Sequence, residues 1–355
     1  MTNDLLYKEN AAIMRGVAIT AIMLHNYLHK DVFGFTQENE AFFSQERADS
    51  FMNAMTTLDT NLFGEMFSFL GWIGVAVFVF LTGYGLAKKY PDKSDIDARR
   101  YVKHNYLKLF LLMLIGILPF MMFDLYNGGG INVVKKIFAL TMLSNFDWPH
   151  LKITPGVYWY FGFTFQYYIF YLVTRRFYNN LLLAILSILS LIIYYLLGLY
   201  DLEHAARIFR ACFTGWLPLF ALGVWMAKDS IVIDIRKFPL WLEFFILLIL
   251  TCFVLIMNMC YESWLFLPII AVFWFMTLSK IVIQVKCLAK IFMWVGAYSA
   301  IIFAVHPIAR QICLSAHLDS MNLWISVMIY VLMTISIAYF YRLLYISLLN
   351  KYMNK

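Results

Sequence analysis

An apolar segment near the N-terminus reads MRGVAITAIMLHNYLHK over residues 14–30. Its length is typical of a helix that crosses a membrane, yet it contains Arg15 and two histidines, His25 and His29. Ionisable side chains inside a bilayer are energetically costly, and they usually mark a functional site. We therefore expect this first helix to carry part of such a site.

The rest of the chain is also strongly apolar. Of its 355 residues, 63% are hydrophobic and 14% are charged, and the mean hydropathy is +0.73. No soluble domain can hide that much apolar surface, so the composition predicts an all-α, polytopic membrane protein. Apolar stretches long enough to cross a bilayer predict ten transmembrane helices, at about 11–30, 68–87, 105–124, 157–174, 181–199, 211–227, 238–258, 263–283, 297–315 and 322–345.

Lysine and arginine are distributed unequally between the two sides that these spans create. With the N-terminus inside, 20 of the 28 basic residues lie in cytoplasmic segments and 8 lie outside. The positive-inside rule then places both termini in the cytoplasm, and it accounts for the net charge of +7 without a nucleic-acid partner. We interpret residues 1–355 as one transmembrane domain with outer elaborations at about 31–67 and 125–156 and a basic cytoplasmic loop at about 88–108.

The cysteines give no sign of metal or disulfide chemistry. They form no CxxC pair and lie in or beside apolar spans. Small apolar residues at such depths are typical of helix packing, so we expect neither a metal site nor a disulfide among Cys212, Cys252, Cys260, Cys287 and Cys313.

Arg15 and His25 are ten residues apart, which on a straight helix separates them by about 15 Å along the axis and about 80° around it. Arg15 then lies near the cytoplasmic surface, where a guanidinium can bind phosphate or simply anchor the helix. His25 lies near mid-membrane, where an imidazole can abstract a proton or hydrogen-bond another helix.

Other polar residues allow a structural and a functional interpretation. The basic loop can anchor helix ends or attract an anionic cytoplasmic substrate; its candidate ligands are Lys88, Lys89, Arg99 and Arg100. Gln166 is buried among aromatic residues and needs a hydrogen-bond partner, in another helix or in a substrate. His306 precedes Pro307, which predicts a kink or local widening there.

Several segments together resemble the acyltransferase-3 family of integral-membrane acyltransferases. The family's first-helix pattern is Arg-Gly-x-Ala followed by a histidine, which resembles the sequence from Arg15 to Ala18 and His25. Its second-helix pattern has Gly and Phe-rich residues before Leu-Ser-Gly-Tyr/Phe, which resembles Gly74 and the segment 78–84, where Thr82 replaces the usual serine before Gly83 and Tyr84.

Two later segments continue the resemblance. Tyr158-Trp159-Tyr160 and Gln166 resemble the family's Trp-Tyr/Phe pattern before a Leu/Gln-rich helix. The segment from Gly296 through Ser299 to Val305-His306-Pro307 resembles its last pattern. The matches occur in the family's order from residue 14 to about 345, with ten core spans and no fused soluble domain, so the chain resembles a stand-alone member.

One spacing departs from the family pattern. Family members usually have ten residues between the arginine and the histidine, which here would place the histidine at Asn26. Three arrangements are open: a local widening of the helix restores the alignment, His25 faces a slightly rotated pocket, or His29 acts instead. We predict His25 as the base, with His29 as the second candidate.

The resemblance implies a multi-pass enzyme of the inner, cytoplasmic membrane that moves an acyl group from acyl-CoA, most commonly acetyl-CoA, to a sugar hydroxyl on the outer side. It implies His25 and His306 as catalytic residues, with Arg15 and the basic loop binding the donor. We expect acceptor or pocket residues among Asn26, His29, Thr82, Tyr84, Trp159, Gln166, Ser299 and Arg310.

The alternative function to acyl transfer is that of a transporter or flippase for a glycan precursor. The sequence specifies neither the acyl group, the sugar nor the oligomeric state.

Overall fold

Helices make up the regular structure of the chain in a computed structural model, which describes residues 3–35, 40–58, 60–91, 95–126, 131–147, 150, 155–177 and 179–353. The chain forms two compact units, and each is described by itself. Unit 1 comprises Met1–Gly85, Pro218–Ser299 and Asp319–Val327. Unit 2 comprises Leu86–Leu217, Ala300–Leu318 and Met328–Lys355.

We number the α-helices of the described residues in chain order. The first eight are α1 (Lys8–Tyr27), α2 (Gln45–Thr57), α3 (Leu62–Leu70), α4 (Gly74–Lys89), α5 (Ala98–Tyr126), α6 (Val133–Leu140), α7 (Trp159–Thr174) and α8 (Asn180–Leu199). The next eight are α9 (Glu203–Ala211), α10 (Leu217–Lys228), α11 (Leu240–Met257), α12 (Tyr261–Trp264), α13 (Leu267–Gln284), α14 (Lys286–Ala297), α15 (Ser299–Ser315) and α16 (Leu323–Met353).

The prediction of an all-α, polytopic membrane protein is confirmed. In the described ranges, six helices are long and apolar enough to span a membrane, and eight candidate spans result if each of two bent helix pairs is one span. The six lie at Leu62–Lys89, which is α3 and α4 joined by a 3-10 turn, and at Ala98–Tyr126, Asn180–Leu199, Leu240–Met257, Leu267–Gln284 and Leu323–Tyr352. The bent pairs are Glu203–Ala211 with Phe213–Lys228, at 74°, and Lys286–Ala297 with Ser299–Ser315, at 80°.

The other two predicted spans, 11–30 and 157–174, correspond to α1 and α7. The polar residues of α1, among them Arg15 and Asn26, lower its hydropathy, and the helix is largely buried inside unit 1. The 16 residues of α7 give a length of about 24 Å, which is shorter than a typical hydrocarbon core. Ten spans and cytoplasmic termini therefore stay predictions.

The predicted loop and outer segments contain more helix than expected. The basic segment 88–108 is not a loop throughout, because α4 runs to Lys89 and α5 begins at Ala98. With 29 residues, α5 is about 44 Å long, so it can extend beyond a bilayer and carry charged residues on its first turns. The outer segment 31–67 contains α2 and α3, and 125–156 contains α6; parts of all three segments lie outside the described residues.

In unit 1, α1 crosses α14 at two glycines. A Cβ atom on Gly16 would overlap the backbone carbonyl of Phe292, and one on Gly296 would overlap the backbone carbonyl of Ala12. Small residues at a crossing let helix backbones approach closely, which strengthens van der Waals packing where no water drives association. The two family-like segments at Arg15-Gly16 and Gly296 therefore meet at one backbone contact.

A second close crossing joins α4 and α10 in the same unit. Gly83 packs on the carbonyl of Phe220, and Gly223 packs on the carbonyl of Phe80. The glycine of the Leu81-Thr82-Gly83-Tyr84 motif is thus required by helix packing. Its neighbour Thr82 donates a hydrogen bond of 2.7 Å to the carbonyl of Phe78 within the same helix.

A buried ion pair connects α11 and α13. Lys280 Nζ lies 3.0 Å from Glu243 Oε1, and the Glu243 side chain is only 1% exposed. Trp274 Nε1 donates a second hydrogen bond between these helices, 2.8 Å long, to Thr251 Oγ1. Polar contacts of this kind hold helices together where apolar burial alone cannot distinguish a partner helix from lipid.

Unit 2 is held by tyrosine hydroxyl groups that donate to backbone carbonyls. Tyr158 of the Tyr-Trp-Tyr segment donates to Ala304 in α15 at 2.5 Å, and Gly116 in α5 leaves space for its ring. Tyr171 donates to Tyr90 at 2.7 Å. These bonds link segments that are far apart in the sequence.

We predict that Gly296→Ala destabilises the protein, because the added methyl group must push α14 away from α1 and overpacking costs about 1–3 kcal/mol. Gly85→Ala is the matched control, since a Cβ there meets nothing within 4 Å. The measurement is the temperature at which detergent-purified protein loses its monodisperse peak in size-exclusion chromatography. Equal midpoints for the two variants would contradict the crossing.

We predict that Glu243→Gln destabilises the protein by about 3–5 kcal/mol, because it leaves the Lys280 ammonium buried without an anion. The double variant Glu243→Leu with Lys280→Met removes both charges and should be close to wild type in the same thermal assay. A double variant as unstable as Glu243→Gln would show that the ion pair itself supplies net stability, contrary to this expectation.

Candidate functional site

His25 lies near the C-terminal end of α1 and is 5% exposed. Its Nδ1 atom is 2.8 Å from the backbone carbonyl oxygen of Ser68 in α3. Because a carbonyl oxygen can only accept, we assign the proton to Nδ1, and the neutral ring then carries its lone pair on Nε2. This is the protonation state that a general base requires.

His29 follows on a π-helical turn, Leu28–Val32. Its ring centroid is 4.9 Å from that of His25 and 5.8 Å from that of Phe35. The helix does widen locally, but it does so after His25, because α1 is regular through Tyr27. No widening therefore lies between Arg15 and His25.

Asn26 occupies the position at which the family spacing would place a histidine, and its side chain contacts its own helix. The Asn26 side-chain amide donates a hydrogen bond of 2.9 Å to Ile22 within α1. His25, one residue earlier, instead contacts Ser68 on α3. The early histidine thus reaches a neighbouring helix.

An arginine that the sequence reasoning did not single out completes this arrangement. Arg47 in α2 is 2% exposed, and its Nη2 atom donates to Ser68 Oγ at 3.2 Å. Its guanidinium carbon lies 3.3 Å above the Phe35 ring centroid. Ser68 therefore contacts His25 through its carbonyl and Arg47 through its hydroxyl. We call His25, His29, Phe35, Arg47 and Ser68 the His25 cluster.

The position of Arg47 follows from how α2 is fixed. Ser44 caps the helix by accepting a hydrogen bond of 3.3 Å from the Arg47 backbone N–H. One turn later, Phe51 stacks on Phe69 of α3 with ring centroids 4.5 Å apart. The cap fixes the first turn of α2, the stack docks α2 on α3, and together they place Arg47 beside Ser68.

Arg47 brings a lasting positive charge to the cluster. Burial lowers the pKa of its guanidinium to about 10, against the opposing effects of the Glu65 and Glu46 carboxylates. At neutral pH the group therefore stays protonated. A sequence signal did exist: Arg47 is the one basic residue among seven acidic residues in 31–67.

An apolar cavity of about 190 Å³ lies in unit 1. Its wall includes Gly71, where a Cβ atom would come within 2.6 Å of the His25 Cβ. The cavity therefore lies close to the backbone that carries His25. Its lining residues are Ala21, Phe63, Met66, Phe67, Leu70, Gly71, Ile73, Thr251, Val254, Trp274 and Phe275.

His306 is the buried histidine of unit 2. It is fully buried, and its Nδ1 lies 3.1 Å from the carbonyl oxygen of Ile302 in the same helix, which assigns the lone pair to Nε2. Within the part of the chain that the structure describes, Nε2 has no hydrogen-bond partner. The helix α15 continues through Pro307, so the expected kink or widening there stays a prediction, and an 80° bend lies earlier, between Ala297 and Ser299.

Gln166 has a structural partner, as one of the two sequence interpretations proposed. Its Oε1 accepts from the Phe213 backbone N–H at 3.0 Å, and its Nε2 lies 3.9 Å from Cys212 Sγ. Both partners lie at the break between α9 and α10, so the amide oxygen satisfies a backbone N–H that has no partner within a regular helix there. Trp159 is also buried, with its ring centroid 5.1 Å from that of Phe163.

The remaining predicted site residues are divided between the two units. Arg15 and Tyr84 are half-buried and Ser299 is buried in unit 1, while Arg310 is half-buried in unit 2. The four basic donor candidates are exposed in unit 2: Lys88, Lys89, Arg99 and Arg100. Of the predicted residues, the structure brings His25 and His29 into direct contact.

Three side chains of unit 2 approach one another in a way that a metal ion could use. The ligand atoms of Asp147, His150 and His204 lie within 4.8 Å of one another in the described ranges. The sequence predicted no metal site here. Asp147 is already hydrogen-bonded to His150 at 2.8 Å, and all three side chains are open to solvent, so a surface hydrogen-bond cluster explains the geometry equally well.

Comparison with known proteins bears on the whole chain. The acyltransferase-3 family model, which describes an acyltransferase domain, matches residues 11–343. The chain belongs to the acyltransferase-3 family. No individual curated protein and no solved structure matches the chain.

Family membership makes the protein a membrane acyltransferase with an acyl donor and an acceptor. It supports acyl transfer over glycan transport, the other function that the sequence left open. The matched region also contains the His25 cluster and His306.

Proposed function

We propose that this enzyme transfers a short acyl group, in the first instance acetyl, from cytoplasmic acyl-CoA to a sugar hydroxyl on the outer side of the inner membrane. The acceptor would be a surface polysaccharide or a lipid-linked glycan. The observation that carries the proposal is the buried His25, whose Nδ1 lies 2.8 Å from the Ser68 carbonyl oxygen in a member of an acyltransferase family.

The reaction needs a base and no redox partner. The acceptor hydroxyl donates its proton to Nε2 of His25 while its oxygen attacks the thioester carbonyl carbon. A new C–O bond forms, and the carbonyl oxygen becomes an oxyanion in a tetrahedral intermediate. When the C–S bond breaks, the imidazolium returns the proton to the CoA sulfur, which leaves an ester and a free thiol.

The residues proposed to bind the acyl-CoA donor are chosen for their positive charge. Arg15 lies on α1 ten residues before His25, about 15 Å along the helix, a distance that a pantetheine arm can bridge between bound phosphates and a reacting thioester. Its guanidinium suits phosphate because it donates bidentate hydrogen bonds. The exposed residues Lys88, Lys89, Arg99 and Arg100 would attract CoA before it binds.

On the acceptor side, His306 is proposed to orient the hydroxyl or to assist the oxyanion. Its buried Nε2 lone pair, without a partner among the described residues, can accept a hydrogen bond from a substrate hydroxyl. Arg310 lies one turn later on the same helix and is proposed as a second polar group of the acceptor path.

We predict that His25→Gln reduces acyl transfer at least about 100-fold, the usual contribution of a general base, whereas Asp49→Asn, an exposed position on α2, stays close to wild type. Glutamine can still donate to the Ser68 carbonyl, so the loss would report the missing base. Acylation is measured by mass spectrometry of surface glycans from cells that lack the gene and express each variant.

Donor binding gives an independent readout of the same variants. Acetyl-CoA, but not acetate, should raise the thermal midpoint of the purified wild-type and His25→Gln proteins alike. Full glycan acylation by His25→Gln would contradict the assigned base. The absence of any thermal effect of acyl-CoA would contradict the assigned donor.

A further inference from the structure

Arg47 is a buried cation whose hydrogen-bonding capacity is largely unused. One donor, on Nη2, reaches Ser68 Oγ. Its Nε and Nη1 atoms are buried and find no acceptor among the described residues, which leaves three N–H groups without a partner there. Buried polar groups are normally satisfied, so a group with this many free donors calls for an explanation.

Other buried arginines of the chain show what a structural arginine looks like. Arg210 donates to the Gly215 carbonyl at 2.9 Å and packs on the Trp216 ring at 3.6 Å. Arg175 donates to the Pro91 carbonyl at 3.2 Å. Both tie down backbone carbonyls, whereas the one hydrogen bond that the Arg47 side chain donates in the described residues goes to a serine hydroxyl.

Two aromatic rings hold the Arg47 guanidinium in place without occupying its N–H donors. Phe35 covers one face, with the guanidinium carbon 3.3 Å from the ring centroid, and Phe69 lies at 5.6 Å. Stacking of this kind fixes the plane of the group. The rotamer entropy is thus lost before any ligand arrives, which favours binding of an oxygen anion.

We propose that Arg47 stabilises the oxyanion that forms on the thioester carbonyl during acyl transfer. This inference rests on the proposed function, in which His25 is the base. Ser68 connects the two residues, because its hydroxyl contacts Arg47 and its carbonyl contacts His25. The base and the positive charge therefore belong to one small cluster on α1, α2 and α3.

The chemistry requires such a group. As the C–O bond forms, the carbonyl π electrons move onto oxygen, and that oxygen accepts hydrogen bonds more strongly than it did in the thioester. A fixed cation with free N–H donors lowers the barrier because it binds the intermediate more tightly than the substrate. When the C–S bond breaks, the electrons return to the carbonyl and the sulfur leaves with the proton from His25.

The test measures CoA thiol released by purified protein from acetyl-CoA, with glycerol as the hydroxyl acceptor. Glycerol is uncharged, so the assay separates stabilisation of the oxyanion from binding of an acidic glycan. Arg47→Gln should lower the turnover number about 10²–10³-fold, the range seen for loss of one oxyanion donor, with an unchanged KM for acetyl-CoA. Arg47→Lys should fall between Arg47→Gln and wild type, because it keeps the charge but loses the planar fork.

The matched control is Asp49→Asn, an exposed position on the same helix, which should keep wild-type turnover. Thermal midpoints of all variants identify any that fail to fold. If Arg47→Gln folds and turns over normally with glycerol, the proposal is wrong, whether or not glycan acylation in cells falls. A wild-type protein that releases no CoA from acetyl-CoA would contradict the proposed function and this role of Arg47 together.

Discussion

The contact between the backbones of α1 and α14 at Gly16 and Gly296 is the constraint on which the site in unit 1 depends. It holds α1, the helix that carries Arg15 and His25, against the interior of unit 1, where most residues of α1 are buried. Near the other end of α1, Gly71 lets a neighbouring turn pack against Ala21 and His25. Because both approaches leave no room for a side chain, α1 has little freedom to rotate, and the direction of His25 is fixed.

A polar network then builds on this rigid helix. The Ser68 carbonyl fixes the tautomer of His25, and the Ser68 hydroxyl accepts a hydrogen bond from Arg47. The stack of Phe51 on Phe69 keeps α2 against α3. Such support matters because catalysis requires the reacting groups to be in place before the substrate binds. In the proposed mechanism, α2 and α3 of segment 31–67 thus support the reacting groups.

Much of this could be predicted from the sequence. Apolar length and composition indicated a polytopic helical protein, and the cost of ionisable groups in a bilayer singled out His25. The joint order of four short motifs indicated the family that the match over residues 11–343 shows. Such features can be predicted from sequence because they are local: each depends on a run of neighbouring residues.

The rest depends on contacts between distant residues. Arg47 reaches its partner only because α2 docks on α3, and the hydropathy of 31–67 says nothing about that docking. The π-helical turn at Leu28–Val32 and the 80° bend after Ala297 lie in segments without proline, so proline chemistry, which pointed to Pro307, gave no sign of either. The sequence did not predict that α5 begins as early as Ala98, because the charged residues of its first turns resemble a loop.

The most direct measurement of the central claim is a cryo-EM structure of the protein with a non-hydrolysable thioether analogue of acetyl-CoA. The account predicts that the analogue's carbonyl group lies in the His25 cluster, with its carbon close enough for a hydroxyl oxygen to bridge it to His25 Nε2, about 3 Å from each. An acyl end bound elsewhere, with His25 still hydrogen-bonded to Ser68 and no path between them, would contradict it.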